Sequence, residues 1–123
     1  MKSILVIVLG TVALQSVAQT AERAPVTDAR PLMLAALRSA DGQAHGQLTG
    51  DLADAISKRF SATTPIFIDV STERRYRQAG CSRLKLRFWQ DGVLLPGAKA
   101  PRKQTVEFGI NYCLDGMPPK SLS

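Results

Sequence analysis

The chain has 123 residues, of which 45% are hydrophobic and 21% are charged, and its formal net charge is +6. This length suits one domain with a modest core. The sequence contains no P-loop, no dinucleotide-binding glycine pattern and no G-x-S-x-G turn, which excludes the enzyme classes that those motifs mark.

Residues 1–18 have the pattern of a cleavable secretory signal peptide. Lys2 supplies a positive start, an uncharged apolar run extends over residues 4–14, and Ser16 and Ala18 are the small residues that a signal peptidase recognises. A retained membrane anchor is the alternative, but the run is much shorter than the roughly 20 residues that span a bilayer. We therefore predict cleavage between Ala18 and Gln19 and a periplasmic or secreted mature protein.

The mature chain is predicted to begin with a flexible arm, residues 19–27, followed by one small disulfide-linked domain over residues 28–123. Two candidate N-caps and Pro31 predict a first helix that starts near residue 28 and ends near Asp41 and Gly42. Three glycines predict a loop over residues 41–50. Leu52, Ile56 and Phe60 recur every four residues and predict a second helix, which starts at about Leu48 or Asp51 and ends at Phe60.

Beyond Pro65 the apolar residues alternate with polar ones, which predicts strands. The alternation covers residues 66–71, 83–89 and 104–113. Asp91 and Gly92 predict a turn or bulge, and the connection over residues 93–100 is predicted to be partly extended. Two helices followed by three strands indicate an α+β fold, with two short helices packed on a small antiparallel three-stranded sheet and one disulfide.

The only two cysteines, Cys81 and Cys113, are predicted to form that disulfide, because an even pair in an exported protein is most simply a bridge. A redox-active pair is the alternative, but the two residues lack the C-x-x-C spacing. If they lie opposite each other in an antiparallel pair, the register also sets Leu84 against Ile110, Leu86 against Phe108 and Phe88 against Val106. The apolar residues of both strands then share one face, which the helices are predicted to cover.

Positive charge is concentrated in residues 74–103, which carry nine bases and a single acid. The alternation predicts that Arg83, Lys85 and Arg87 share a solvent face, with Trp89 in line as a stacking or cation–π platform. The candidate binding face comprises Arg83, Lys85, Arg87, Trp89, Arg74, Arg75 and Arg77. Such a face attracts an acidic protein or an anionic envelope surface, and nucleic acid is a further possibility. The alternative is a solvated face that only discourages aggregation.

The residues give little support to an enzyme. His45, the only histidine, lies in the predicted glycine-rich loop, where a solvated histidine is more common than a catalytic one. Asp69 and Glu73 form a conceivable carboxylate pair for a small hydrolase, but so short a chain has little room for a substrate cleft. We predict no catalytic residue, no metal site and no cofactor.

Three segments, residues 76–81, 90–97 and 108–116, carry a resemblance to known proteins. They resemble small exported proteins encoded in the conjugative-transfer regions of bacterial plasmids and integrative elements, next to type IV secretion genes. The resemblance covers residues 65–121 and implies a non-enzymatic periplasmic accessory or binding protein of a conjugation apparatus. The alternative that it also implies is an envelope-acting inhibitor or toxin-like effector that harms a host or recipient cell.

Overall fold

The computed structural model describes residues 23–123 and the isolated positions 3, 7, 10 and 11. The predicted cleavage site, and nearly all of the predicted signal peptide, lie outside the described residues. The described elements are, in chain order, β1 (Ala24–Val26), α1 (Arg30–Arg38), β2 (Gln43–Leu48), α2 (Asp51–Arg59), β3 (Ile66–Arg75), β4 (Cys81–Val93) and β5 (Arg102–Cys113). The strands form one sheet in the order β1-β2-β3-β4-β5, in which β1 is parallel to β2 and the other neighbours are antiparallel.

The predicted three-stranded antiparallel sheet is therefore wrong, because the described sheet is mixed and has five strands. β1 occupies the end of the predicted flexible arm, and β2 occupies most of the predicted loop. The inward positions of β2 are Ala44, Gly46 and Leu48, so two of its three core-facing residues are too small to produce an apolar alternation. β1 has only three residues, and Pro25 fits there because an edge strand tolerates a missing N–H.

Gly46 allows α1 to pack directly on the sheet. A Cβ atom at Gly46 would lie 2.6 Å from Cδ1 and 2.9 Å from Cδ2 of Leu32, and 3.0 Å from the carbonyl oxygen of Ala24. Gly46 is one of the glycines that predict a loop from the sequence, but in the structure it is the position where α1 contacts β2. Leu32, Met33 and Ala36 are buried on the face of α1 that this contact turns toward the sheet.

The core lies between the helices and one face of the sheet. Its most deeply buried side chains are Ile68, Val70, Leu84 and Leu86, on the two strands nearest the centre of the sheet. α2 contributes Ala53, with Ile56 at the margin. Burial of such aliphatic side chains stabilises the fold by roughly 1.5–3 kcal/mol each relative to exposure.

The predicted register between β4 and β5 is confirmed. Cys81 lies opposite Cys113 and forms the predicted disulfide, and the three predicted apolar pairs lie opposite each other on one face. The bridge joins residues 32 positions apart. In the chain-entropy model, closing a loop of that size stabilises a small domain by roughly 3–4 kcal/mol.

The helices cover only part of the apolar face, contrary to the sequence-based expectation. Val106 is 62% exposed and Phe108 is 47% exposed, although their partners on β4 are buried or partly buried. The reason is geometric, because each helix has nine residues and is about 14 Å long. α1 contacts β5, and Ile110 and Tyr112 pack against the core, but neither helix covers Val106 and Phe108.

We expect Gly46→Ala to lower the free energy of unfolding by about 1–3 kcal/mol, because the added methyl group overlaps Leu32. This cost exceeds the stabilisation of about 0.4–1 kcal/mol that the loss of glycine freedom in the unfolded chain provides. Urea denaturation of both proteins measures the difference. In a Leu32→Ala background the same change should cost much less, and equal costs in the two backgrounds would rule out the contact as the cause.

Candidate binding face

The face of the sheet opposite the two described helices is here called the outer face. It carries alternate residues of the strands, and neighbouring strands set them in rows across the sheet. One row runs Glu107, Arg87, Asp69 and His45, so that its acids and bases alternate. The hydrophobic core lies on the other side of the sheet.

Arg83, Lys85 and Arg87 lie side by side on the outer face of β4, as the alternation predicts. The guanidinium of Arg83 lies over Gly109, where no side chain obstructs it. Its Nε is 3.3 Å from Oε2 of Glu73, and its Nη1 donates to Oδ1 of Asn111 at 3.3 Å. The absence of a Cβ at residue 109 thus lets this arginine lie flat across β5.

Lys85 and Arg87 share one carboxylate. Lys85 Nζ is 3.3 Å from Oε2 of Glu107, and Arg87 Nε is 3.7 Å from Oε1 of the same residue. The second distance is too long for a hydrogen bond, and Arg87 Nε is buried without an acceptor. These side chains are 42–44% exposed, so their ion pairs stabilise the fold by about 1 kcal/mol or less.

The other predicted members of the binding face lie in different places. Arg74 lies opposite Arg83 beside a β-bulge, with its guanidinium 5.5 Å from the ring centroid of Tyr76. Arg75 lies opposite Ser82 instead, and its Nη2 is directed at the carbonyl oxygen of Ala40 on the helix side. Arg77 is exposed in the turn between β3 and β4. The bulge reverses the alternation, which the sequence pattern alone does not show.

Trp89 is part of a polar cluster, and the cation–π contacts that it makes are with cations of this chain. Its Nε1 donates to Oδ2 of Asp69 at 2.8 Å, and its ring centroid is 4.7 Å from that of Phe67. Arg23 lies over Phe67 at 4.3 Å, and Lys103 Nζ lies 4.3 Å from the Trp89 ring centroid. Both ring systems are thus in contact with cations of this chain.

Asp69 is the centre of this cluster and connects four segments of the chain. Its Oδ1 lies 2.7 Å from Nδ1 of His45 and 2.9 Å from Nη1 of Arg23, while Oδ2 accepts from Trp89. His45 is therefore a residue of β2 bound to a carboxylate, and the expectation of a solvated loop histidine is wrong. Because an ionised carboxylate only accepts, His45 donates to Asp69 through Nδ1.

The suggested carboxylate pair of a hydrolase is not formed as a pair. Asp69 binds the three side chains named above, and Glu73 binds Arg83. In the part of the chain that the structure describes, no three His, Cys, Asp or Glu side chains converge as metal ligands would. The cluster carries no local signal in the sequence, because Arg23 and Asp69 are 46 positions apart and meet only when β1, β2 and β3 pair.

Hydrogen bonding lowers the pKa of Asp69. Partial burial on its own raises the pKa, since it disfavours the charged carboxylate, but the hydrogen bonds from His45, Trp89 and Arg23 together outweigh that effect. Asp69 is therefore held as a carboxylate in the folded protein. It neutralises Arg23 and leaves the bases of β4 as the main source of positive charge.

The charged side chains of the outer face comprise three acids, Asp69, Glu73 and Glu107, and six bases, Arg23, Arg74, Arg83, Lys85, Arg87 and Lys103. The bases exceed the acids, and each acid is bound to at least one base. The arrangement is suited to electrostatic recognition of an anionic surface.

Comparison with protein-family models, with curated proteins and with solved structures finds no match to this chain. Among the described helices, neither has the length and apolar character needed to cross a membrane.

We expect Asp69→Asn to lower the free energy of unfolding at pH 7 by about 1.5–3 kcal/mol, the usual contribution of hydrogen bonds to a charged group. Because the folded pKa is lowered, the contribution of Asp69 is complete above the unfolded value of about 3.9 and is lost as the pH falls through the folded pKa. Urea denaturation at pH 7 and below pH 4 should therefore show a difference that shrinks in acid.

Asp28→Asn is the matched control, because the pKa of Asp28 is also lowered, by its exposed partner Arg30. This change should have a much smaller effect at pH 7. A difference between wild type and Asp69→Asn that stays constant from pH 7 to acid would contradict the role of the carboxylate charge.

Proposed function

We propose that this chain is an exported, non-enzymatic binding protein whose outer face recognises an acidic surface of a partner protein. The observation that carries the proposal is the excess of bases on a sheet face that neither described helix covers. Arg74, Arg83, Lys85 and Arg87 form a continuous patch there, next to Asp69, Glu73 and Glu107. Attraction between such a patch and a negative surface accelerates association and sets orientation.

The interspersed acids favour a protein partner over nucleic acid or a lipid surface. A polyphosphate or an anionic bilayer presents negative charge alone, and Asp69, Glu73 and Glu107 would repel it. An acidic protein surface presents carboxylates beside donors and cations, which suits a face where the charges alternate.

The bases are arranged so that an incoming carboxylate can replace an internal one. Each internal pair is partly exposed and contributes little to stability, so exchanging it for a pair with a partner costs little. Arg87 Nε is buried without an acceptor and its ion pair with Glu107 is long, so this guanidinium is only weakly held by the internal carboxylate. Arg83 is held in a defined position by Glu73, Asn111 and the space over Gly109, which reduces the entropy lost on binding.

The setting that we propose is the periplasm, where the protein acts as an accessory of a conjugal-transfer or type IV secretion apparatus. The signal-peptide pattern of residues 1–18 and the disulfide support export. The resemblance of residues 65–121 to small exported proteins of conjugative elements supports the apparatus. In this setting the acidic partner is a component of the envelope.

Replacing Arg83, Lys85 and Arg87 together with serine tests the role of the outer face. We expect the wild-type protein, immobilised and exposed to an envelope extract, to capture a partner at low salt and to release it at high salt. The triple variant should lose that capture, because it removes three adjacent positive charges from the face. Its thermal unfolding reports whether the fold is intact.

The matched control removes the same charge elsewhere, through Arg38→Ser, Lys58→Ser and Lys99→Ser, which are exposed positions outside the outer face. This control should retain capture. Equal capture by the wild type and the Arg83, Lys85 and Arg87 variant would contradict the proposal. Equal loss in both triple variants would show that net charge, and not the face, is responsible.

A second candidate function is an envelope-acting inhibitor or toxin-like effector. The observation that favours it is the connection between β4 and β5, where Leu94 and Leu95 are exposed and the N–H of Leu94 is bound to the carbonyl of Phe60. An anchored loop with apolar side chains at its surface is suited to blocking a site on another protein.

Growth of cells that express the chain with and without residues 1–18 tests this second candidate. An effector of the envelope should slow growth only when it is exported, and Leu94→Ser with Leu95→Ser should remove the effect. Normal growth in both cases, with the protein present in each compartment, would contradict the effector hypothesis.

A further inference from the structure

The outer edge of β5 is a long strand edge without a pairing partner among the described residues. β5 is the last strand in the sheet order and has twelve residues, whereas β1, at the other edge, has three. Proteins usually protect such an edge with charged side chains, proline, a bulge or a short strand, because its free N–H and C=O groups can pair with another chain. The charged residues of β5, Arg102, Lys103 and Glu107, are of mixed sign. β5 contains no proline, and its residues 104–113 pair with β4 without interruption.

The disulfide shows which backbone groups of β5 point outward. Cys81 and Cys113 lie opposite each other with Cα atoms 4.0 Å apart, a spacing typical of a pair that exchanges no backbone hydrogen bonds. Accordingly, the N–H of Cys113 donates to the carbonyl of Met117 and not to β4. Because the direction alternates along a strand, the backbone groups of residues 103, 105, 107, 109 and 111 point away from β4.

We propose that a second copy of this chain pairs with this edge, β5 against β5, in antiparallel orientation around a two-fold axis at Thr105. In this register Lys103 lies opposite Glu107 of the second copy, and the two-fold axis repeats that pair. Both side chains lie on the outer face, since Lys103 reaches Trp89 and Glu107 reaches Lys85. The two charges are opposite and are equally distant from Thr105, so the edge is complementary to itself.

Neighbouring registers lack this complementarity. An axis at Glu107 sets two glutamates against each other, and an axis at Val106 sets Lys103 against Gly109 and Glu107 against Thr105. Like charges that lie directly opposite destabilise a strand pair, and opposite charges stabilise it. The axis at Thr105 provides three outward-facing residue pairs, which amount to about six backbone hydrogen bonds between the copies. An axis at Val106 would provide four such pairs, so the register is set by the charge pairs and not by the number of hydrogen bonds.

The other face of the same strand supports the pairing. Val106 and Phe108 are the exposed apolar residues that the helices leave uncovered, and Phe88 stacks against Phe108 at 5.8 Å. With the axis at Thr105, Val106 lies opposite Gln104 of the second copy, and the two Val106 side chains become diagonal neighbours. Phe108 lies opposite Arg102 of the second copy, whose guanidinium can cover the ring. Dimerisation thus removes water from the patch that the fold leaves exposed.

Sedimentation equilibrium of the exported protein over a range of concentrations tests the dimer. We expect a reversible monomer–dimer equilibrium. Thr105→Pro should raise the dimer dissociation constant by roughly tenfold or more, because it removes one outward N–H from each copy. Thr105→Ala is the matched control, since it retains the N–H, and its dissociation constant should stay within about threefold of wild type.

A charge exchange tests the register itself. Lys103→Glu should raise the dissociation constant by roughly tenfold, because it creates two repulsive pairs in the dimer. Adding Glu107→Lys to Lys103→Glu should restore the dimer, because the pairs are then reversed and again attractive. Circular dichroism and thermal unfolding verify that each variant is folded.

Three results would overturn the proposal. A monomer at every concentration up to several hundred micromolar would show that the edge does not pair. A dimer that Thr105→Pro does not weaken would place the interface elsewhere. A double variant as weak as Lys103→Glu alone would contradict the axis at Thr105.

Discussion

The pairing of β4 with β5 is the constraint on which the arrangement of both sheet faces depends. With Cys81 opposite Cys113, the apolar residues of the two strands lie on the helix side and the bases lie on the outer side. A shift of one residue would exchange the faces of one strand and set arginines against apolar residues. The disulfide and the alternation of side chains therefore specify the same register, which is why this pair is the best-determined part of the fold.

The opposite half of the sheet depends on a different constraint, the close contact between α1 and β2. Gly46 leaves room for Leu32, and β1 then adds to the outer edge of β2 and carries Arg23 to Asp69. One small residue thus positions a helix, a strand and a polar cluster. The cluster in turn ties the N-terminal end of the domain to β3 and β4 through a charge-assisted network, which is stronger than isolated surface ion pairs.

The two faces of the sheet differ in what covers or neutralises their side chains. On the helix side, two nine-residue helices cover the centre and leave Val106 and Phe108 exposed. On the outer side, the bases of β4 lie between carboxylates that neutralise only part of their charge. Both features lie beside the outer edge of β5, so the proposed pairing of two copies would extend the basic face and cover the apolar patch in the same step.

Most of the correct predictions came from one pattern, the alternation of apolar and polar residues in the strands. The alternation of residues 83–89 and 104–113, together with the two cysteines, was sufficient to predict the register, the disulfide and the common face of Arg83, Lys85 and Arg87. The four-residue spacing of Leu52, Ile56 and Phe60 was sufficient to predict α2, although its last helical residue is Arg59. These features are local or involve one long-range pair, so hydrophobic period and side-chain chemistry identify them.

What the sequence by itself determined is thus the alternation of apolar and basic residues on the hairpin, the bridge that sets its register and the existence of two helices. Only the tertiary structure decided that residues 24–26 and 43–48 are strands, because Ala44 and Gly46 show their strand character only against α1. The tertiary structure also forms the Asp69 cluster, since only strand pairing brings Arg23, His45 and Trp89 to one carboxylate. The physical reason is that a small or polar residue gains its role from the neighbours that pack on it, and those neighbours are distant in the chain.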